Sequence, residues 1–225
     1  MEEFRRYPLT YTIIVLNIIP YLVSATLCGS PVDIDLETLV DLGALYGPLV
    51  VLKGEWWRLL SAMFLHGGVT HILMNMVSLY VVGRGAELYF SKTVYIILYL
   101  LSGLIGGVVS LHMHFESVAV GASGAIFGIF GALAGFLLAR RDQITSGGRE
   151  IIKDFAVILG LNLLLGLSIA SVDMSAHIGG LITGLIGGFV VSKNPKGLVL
   201  FIGAGAVTLA VGVALLRRYY VQIYM

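Results

Sequence analysis

The chain has 225 residues, of which 58% are hydrophobic and 12% charged, with a formal net charge of +1. Charged residues make up about a quarter of an ordinary soluble protein, so this balance points to a polytopic, all-α membrane helix bundle forming a single domain over 1–225. The near-neutral charge carries no basic signal for nucleic acid, and the lone Cys28 excludes an internal disulfide framework or a cysteine metal cluster.

Met1 to Arg6 reads as a short cytoplasmic flank. The apolar stretch at about 9–28 exceeds the roughly 7–15 residues of a signal-peptide core, so it is expected to stay as the first span. The segment 29–68 holds Asp33, Asp35, Glu37, Asp41 and Glu55, followed by Trp56-Trp57-Arg58. It is too polar to span and too apolar for a free linker, which predicts a partly helical structure in the interface with its tryptophans at headgroup level. Further spans follow at about 69–89, 93–113, 122–140, 151–170, 176–192 and 197–216. With the N-terminus cytoplasmic, ten of the fourteen basic residues flank the inner ends, the bias the positive-inside rule requires. Arg217-Arg218 on the outer side dissents.

This topology runs the second, fourth and sixth spans from outside to inside. His71 and Asn75 then lie early in the second, Ser123 opens the fourth and His177 opens the sixth, all at similar depth near the outer face. Serine attacks only when a base takes its proton, and histidine is the usual base. Gly124, Gly128, Gly131 and Gly135 recur at helical spacing on the fourth span, and Gly180, Gly184 and Gly188 on the sixth. Such stripes let membrane helices approach closely, and His177 shares a face with Gly180 and Gly184. Acyl transfer also needs donors for a developing oxyanion. His71 and Asn75 share a helix face, and Ser123 begins a helix whose first N–H groups lack intrahelical partners.

Gly121-Ala122-Ser123-Gly124, Ala176-His177-Ile178-Gly179-Gly180 and His71-Ile72-Leu73-Met74-Asn75 resemble the signatures of rhomboid intramembrane serine proteases. Trp57-Arg58 resembles that family's first-loop motif, and the likeness extends over about 55–190. The resemblance implies a Ser–His dyad with Ser123 as nucleophile and His177 as general base. It implies an oxyanion hole from His71, Asn75 and the Ser123 amide, and a six-helix core, here about 9–193, that some members extend by a seventh C-terminal helix, here about 197–216. Phe127 matches a position where members often carry Tyr, its ring packing on His177. Gly121, Gly124 and Gly180 are expected to support the site. The implied partners are transmembrane protein substrates and membrane lipid, with no metal or other cofactor, and the fifth helix with the loop before the sixth would gate substrate entry. The compact chain fits a prokaryotic cell membrane, with the site opening to the outer face.

Other readings attach to single residues. Asp173, four residues before His177, fits a helix cap better than a triad acid. Arg84 and Glu87 read as an interfacial pair or helix-end structure. His66 reads as support for the first loop or the site. His112 and His114 join it near the outer face, but no His-Glu-x-x-His accompanies them. A catalytically dead relative that holds membrane clients and a transporter are the competing classes. Ser123 and His177 weigh against the first, and the lack of inverted repeats of broken helices weighs against the second. Oligomeric state is open.

Overall fold

The computed structural model describes residues 2–143, 157, 160, 173–194 and 196–224. Among them the chain forms α1 (Glu2–Arg6), α2 (Pro8–Cys28), α3 (Leu36–Asp41), α4 (Arg58–Ser61), α5 (Val69–Tyr89), α6 (Lys92–Met113), α7 (Ser123–Ala139), α8 (Met174–Lys193) and α9 (Gly197–Tyr224). Two-residue strands β1 (Leu45–Tyr46) and β2 (Val118–Ala119) pair antiparallel. Six of the seven expected spans coincide with α2 and α5–α9. The fifth, at about 151–170, lies outside the described residues.

Along α2, polarity runs opposite to that of a helix in a soluble bundle. The buried stripe of α2 is Thr10, Ile13, Asn17, Tyr21 and Ser24, while Val15, Ile19, Leu22 and Leu27 are exposed. Lipid accepts apolar side chains, so polar groups turn inward to find partners. α2 opens with Pro8 at its first position and closes on Gly29 in the left-handed region, a favourable start and stop. Its free N-terminal amides are capped from afar: Glu87 of α5 accepts from the Leu9 and Thr10 N–H groups at 3.2 and 2.7 Å. Arg84 instead bonds Glu3 at 3.2 Å and lies over the rings of Tyr7 and Tyr80. Arg84 and Glu87 thus each tie α5 to the N-terminal segment.

α2, α6, α8 and α9 are long and apolar enough to cross a membrane. α5 has the length, but His71, Asn75, Arg84 and Glu87 dilute its apolarity. α7 has only 17 residues, twelve of them buried. Enclosed by the other helices, α7 needs no lipid-facing coat.

α7 packs most intimately on α8. A Cβ on Gly180, Gly184 or Gly188 would overlap the carbonyl oxygen of Gly124, Gly128 or Ala132 in turn, and one on Gly131 or Gly135 would overlap the carbonyls of Leu181 or Leu185. The two helices therefore run parallel with their backbones touching, as small-residue stripes permit. α6 closes the third side: Ser102 fills the space beside Gly128, and a Cβ on Gly106 would stand 2.7 Å from the Ala176 carbonyl oxygen.

The segment 29–68 is partly helical, as expected, and is tied down through Arg58. Its guanidinium, 6% exposed as a residue, bonds Glu55 at 2.6 Å and the carbonyls of Val40 and Ala44 at 2.5 and 3.2 Å. The last helix runs eight residues past the expected Leu216 limit. The apolar run ends there, but Tyr220 and Tyr224 continue the packing face.

Candidate active site

Ser123 is the first residue of α7 and His177 lies in the first turn of α8. Because the helices are parallel and in contact, both side chains emerge at one end of the bundle. His177 Nε2 stands 2.6 Å from Ser123 Oγ, a short hydrogen bond. Ser123 is half-buried, and His177 is buried. The Phe127 ring lies on the imidazole, with centroids 4.4 Å apart and planes 14° from parallel. The imidazole is thus held by a ring on its face and a hydroxyl at Nε2.

Asp173 does not reach the imidazole as a hydrogen-bond partner. Its Oδ1 accepts from the Ser175 and Ala176 N–H groups at 3.0 and 3.2 Å and from the Ser175 hydroxyl at 2.5 Å, capping α8. Among the described residues, His177 Nδ1 is buried with no hydrogen-bond partner.

His71 approaches from α5. The Gly67 N–H donates to its Nδ1 at 3.4 Å, which assigns the ring proton to Nε2. That Nε2 faces Gly121: a Cβ there would lie 2.8 Å from it and 3.8 Å from Ser123 Oγ. Gly121 also has φ +127, where side chains are strained, so two requirements converge on glycine. Asn75 is buried one turn below His71 and donates to the His71 carbonyl at 3.0 Å, leaving its second amide hydrogen uncommitted by that bond. Gly124 and Gly180 supply the closest α7–α8 approach beside the pair.

His66 is fully buried, its ring edge-on to His71 with centroids 5.1 Å apart. Burial, with the neighbouring His71 adding to it, pushes its pKa down from 6.5 to about 3, so it stays neutral near neutral pH. His112 bonds the Val108 carbonyl of its own helix at 2.9 Å. Among the described residues no three His, Cys, Asp or Glu side chains gather as a metal set.

Sequence reasoning did not single out Ser102, Gly106 or the Gly67 amide. The row Gly103, Gly106 and Gly107 carried a usable signal for close packing by α6. The Gly67 N–H did not, because it is a backbone group.

A family model described as Rhomboid domain matches residues 53–194. Rhomboid protease GluP of Bacillus subtilis is 37% identical over 175 residues, covering 78% of this chain and 33% of that protein. RHOMBOID-like protein 2 of Arabidopsis thaliana is 41% identical over 160 residues, covering 71% and 50%. Putative rhomboid protease YdcA of Bacillus subtilis is 36% identical over 145 residues, covering 64% and 69%. The chain therefore spans a third of the length of GluP and half that of the plant protein.

Proposed function

The chain belongs to the rhomboid family of integral, multi-pass membrane proteins, and on that premise we propose that it is an intramembrane serine endopeptidase. The observation that carries this reading is the 2.6 Å contact between His177 Nε2 and Ser123 Oγ. Ser123 attacks the scissile carbonyl carbon while its proton passes to His177. The oxyanion takes hydrogen bonds from His71 Nε2–H, an Asn75 amide hydrogen and the Ser123 N–H, at the positive end of the α7 dipole. His177 then protonates the leaving amine, and an ester to Ser123 remains. Water attacks that ester, giving its proton to His177, and Ser123 is restored as the new carboxylate leaves.

No third acid is needed for this cycle. The Phe127 ring fixes the plane of the imidazole, a task a triad carboxylate performs elsewhere. The substrates are other transmembrane proteins, cut near the outer face where their helices are weak. Gly, Pro or small residues near the cut expose a carbonyl that a regular helix keeps bonded. The N-terminus is cytoplasmic, the site opens outward, the membrane is a prokaryotic cell membrane, and 1–225 folds as one membrane domain.

The test is cleavage of a helix-weak transmembrane reporter by purified protein in lipid, with Ser123→Ala and His177→Ala beside wild type. Each substitution should lower kcat by about 10³-fold or more, and a fluorophosphonate probe should label wild type alone. Labelling that survives Ser123→Ala sinks the nucleophile assignment.

A further inference from the structure

The C-terminal helix makes one contact that packing alone does not require. α9 is 28 residues long but buries only Gly197, Phe201, Gly205 and Leu216. At about 1.5 Å per residue it reaches roughly 42 Å, so its last turns extend past a hydrocarbon core of about 30 Å. Arg217-Arg218 thereby stand at the water boundary, where their charge is tolerated.

Those last turns reach the connection that leads into Ser123. The Tyr220 ring stacks on Phe115, with centroids 3.6 Å apart and planes 6° from parallel. The Tyr224 hydroxyl donates to Glu116 Oε1 at 2.6 Å. Leu216, with no exposed surface, packs beneath in the same apolar cluster as Phe115. Eight residues after Phe115 comes Ser123. Between them the chain is tied by Gly47 N–H to the Phe115 carbonyl at 3.0 Å, Ser117 N–H to the His114 carbonyl at 3.1 Å, the two-residue β1–β2 ladder, Gly121 N–H to the Ala62 carbonyl at 2.9 Å, and the packing of Val118 and Val120 on Ile34, Leu39, Ala44 and Leu65. A ladder that short is marginal without an apolar cover; the Ile34 cluster covers the side of Val118 and Val120, and Leu216 and Tyr220 of α9 join Leu45, Phe115 and Ala119 in the cluster on the other.

We propose that Tyr220 and Tyr224 are positioning residues: their clasp on Phe115 and Glu116 holds the 115–122 segment in the register that presents Gly121 and Ser123 to His71 and His177. The proposal rests on the protease reading of Ser123. The clasp acts on the geometry of the attacking hydroxyl and not on the substrate path, so it bears on kcat and leaves KM alone.

The experiment uses the full chain in lipid nanodiscs, with Tyr220→Leu, Tyr220→Phe and Tyr224→Phe. Reporter kinetics are read together with backbone hydrogen exchange over 116–122. Tyr220→Leu should lower kcat about tenfold, the worth of one aromatic pair, with KM unchanged and exchange over 116–122 accelerated. Tyr220→Phe should restore both readings. Tyr224→Phe, which removes a single hydroxyl and leaves the apolar packing intact, should lower kcat about threefold and carries the test if Tyr220→Leu does not fold. Wild-type exchange over 116–122 in Tyr220→Leu and Tyr224→Phe overturns the proposal, as does accelerated exchange with an unchanged kcat or a failure of Tyr220→Phe to rescue. A wild type without Ser123-dependent cleavage sinks the protease reading instead, and the exchange measurement still decides whether the clasp orders the segment.

Discussion

Gly184 lies about two turns beyond His177 and touches neither Ser123 nor the imidazole, yet Gly184→Ala is expected to remove most activity. An added Cβ would overlap the Gly128 carbonyl oxygen, with the carbonyl carbon at 2.5 Å and the Cα at 2.8 Å. Carbon–carbon contacts relax to about 3.5–4.0 Å, so α7 and α8 must part by roughly 1 Å at this level. The obstruction is backbone on both helices, and no rotamer relieves it. If the separation carries up to the site, the 2.6 Å Ser123–His177 contact lengthens to about 3.6 Å, outside hydrogen-bond range. A misplacement of about 1 Å can cost about 100-fold in rate. Overpacking costs about 1–3 kcal/mol, which leaves a folded bundle when total stability is about 5–15 kcal/mol. Reporter cleavage in lipid should therefore show kcat reduced by roughly 30- to 100-fold while thermal unfolding stays cooperative. Gly203→Ala in α9 is the control: a Cβ there meets nothing within 4 Å, and activity should match wild type. A folded Gly184→Ala protein with wild-type kcat would refute the claim that backbone contact between α7 and α8 sets the Ser123–His177 distance.

Three further outcomes follow from the site. Phe127→Ala removes the ring stacked on His177 and should cut kcat about tenfold, whereas Phe127→Tyr keeps the ring and should retain activity; equal kinetics for both variants would dismiss the ring as the imidazole's support. Asp173→Asn keeps a capping oxygen and should leave kcat within about threefold, while Asp173→Ala should lose about 1 kcal/mol of stability. A drop of about 10⁴-fold in Asp173→Asn would instead make Asp173 a triad acid. For His66 the folded value of about 3 lies below the ordinary 6.5, so below about pH 6.5 the unfolded chain binds a proton that the folded chain does not. Stability is full above that pH and falls toward pH 3, by up to about 1.4 kcal/mol per unit. Thermal unfolding between pH 7.5 and 5 should show a fall in Tm that shrinks in His66→Phe, and an equal fall in both proteins rejects the assignment to His66.

The parts of this structure legible in the sequence are those that depend on side-chain type at a spacing. Span positions follow from apolar length, and the Ser123–His177 meeting follows from two glycine rows whose only efficient use is to pack on each other. The parts that were not legible depend on backbone groups or on distance along the chain. Glu87 caps amides 77 and 78 residues away, which no local pattern encodes. Arg58 secures the first loop through the carbonyls of Val40 and Ala44, and Gly67 orients His71 through its amide; neither partner has a side-chain signature. The last helix overran its expected end because the apolar count stops at Arg217, while its aromatic face continues to Tyr224.

α7, which carries Ser123, is the shortest of the long helices and the one most enclosed by its neighbours, and the two facts are linked. A helix that faces lipid must be apolar and about 20 residues long. A helix enclosed by others is released from both demands, because its neighbours meet the lipid for it. α5 keeps one face outward, with Leu73, Met74, Val77 and Val81 exposed, and turns the buried Asn75 and half-buried His71 toward the protein. α7, at 17 residues, spans about 26 Å of a core about 30 Å thick. If its far end reaches the opposite interface, Ser123 begins a few ångströms below the near one. A non-helical segment such as 114–122 is tolerated at that depth where protein or water, and not lipid, surrounds it. A half-buried serine at the head of a short enclosed helix is thus where hydrolytic water and a membrane-embedded peptide bond can meet, and the glycine rows that keep α7 enclosed also fix its partner base.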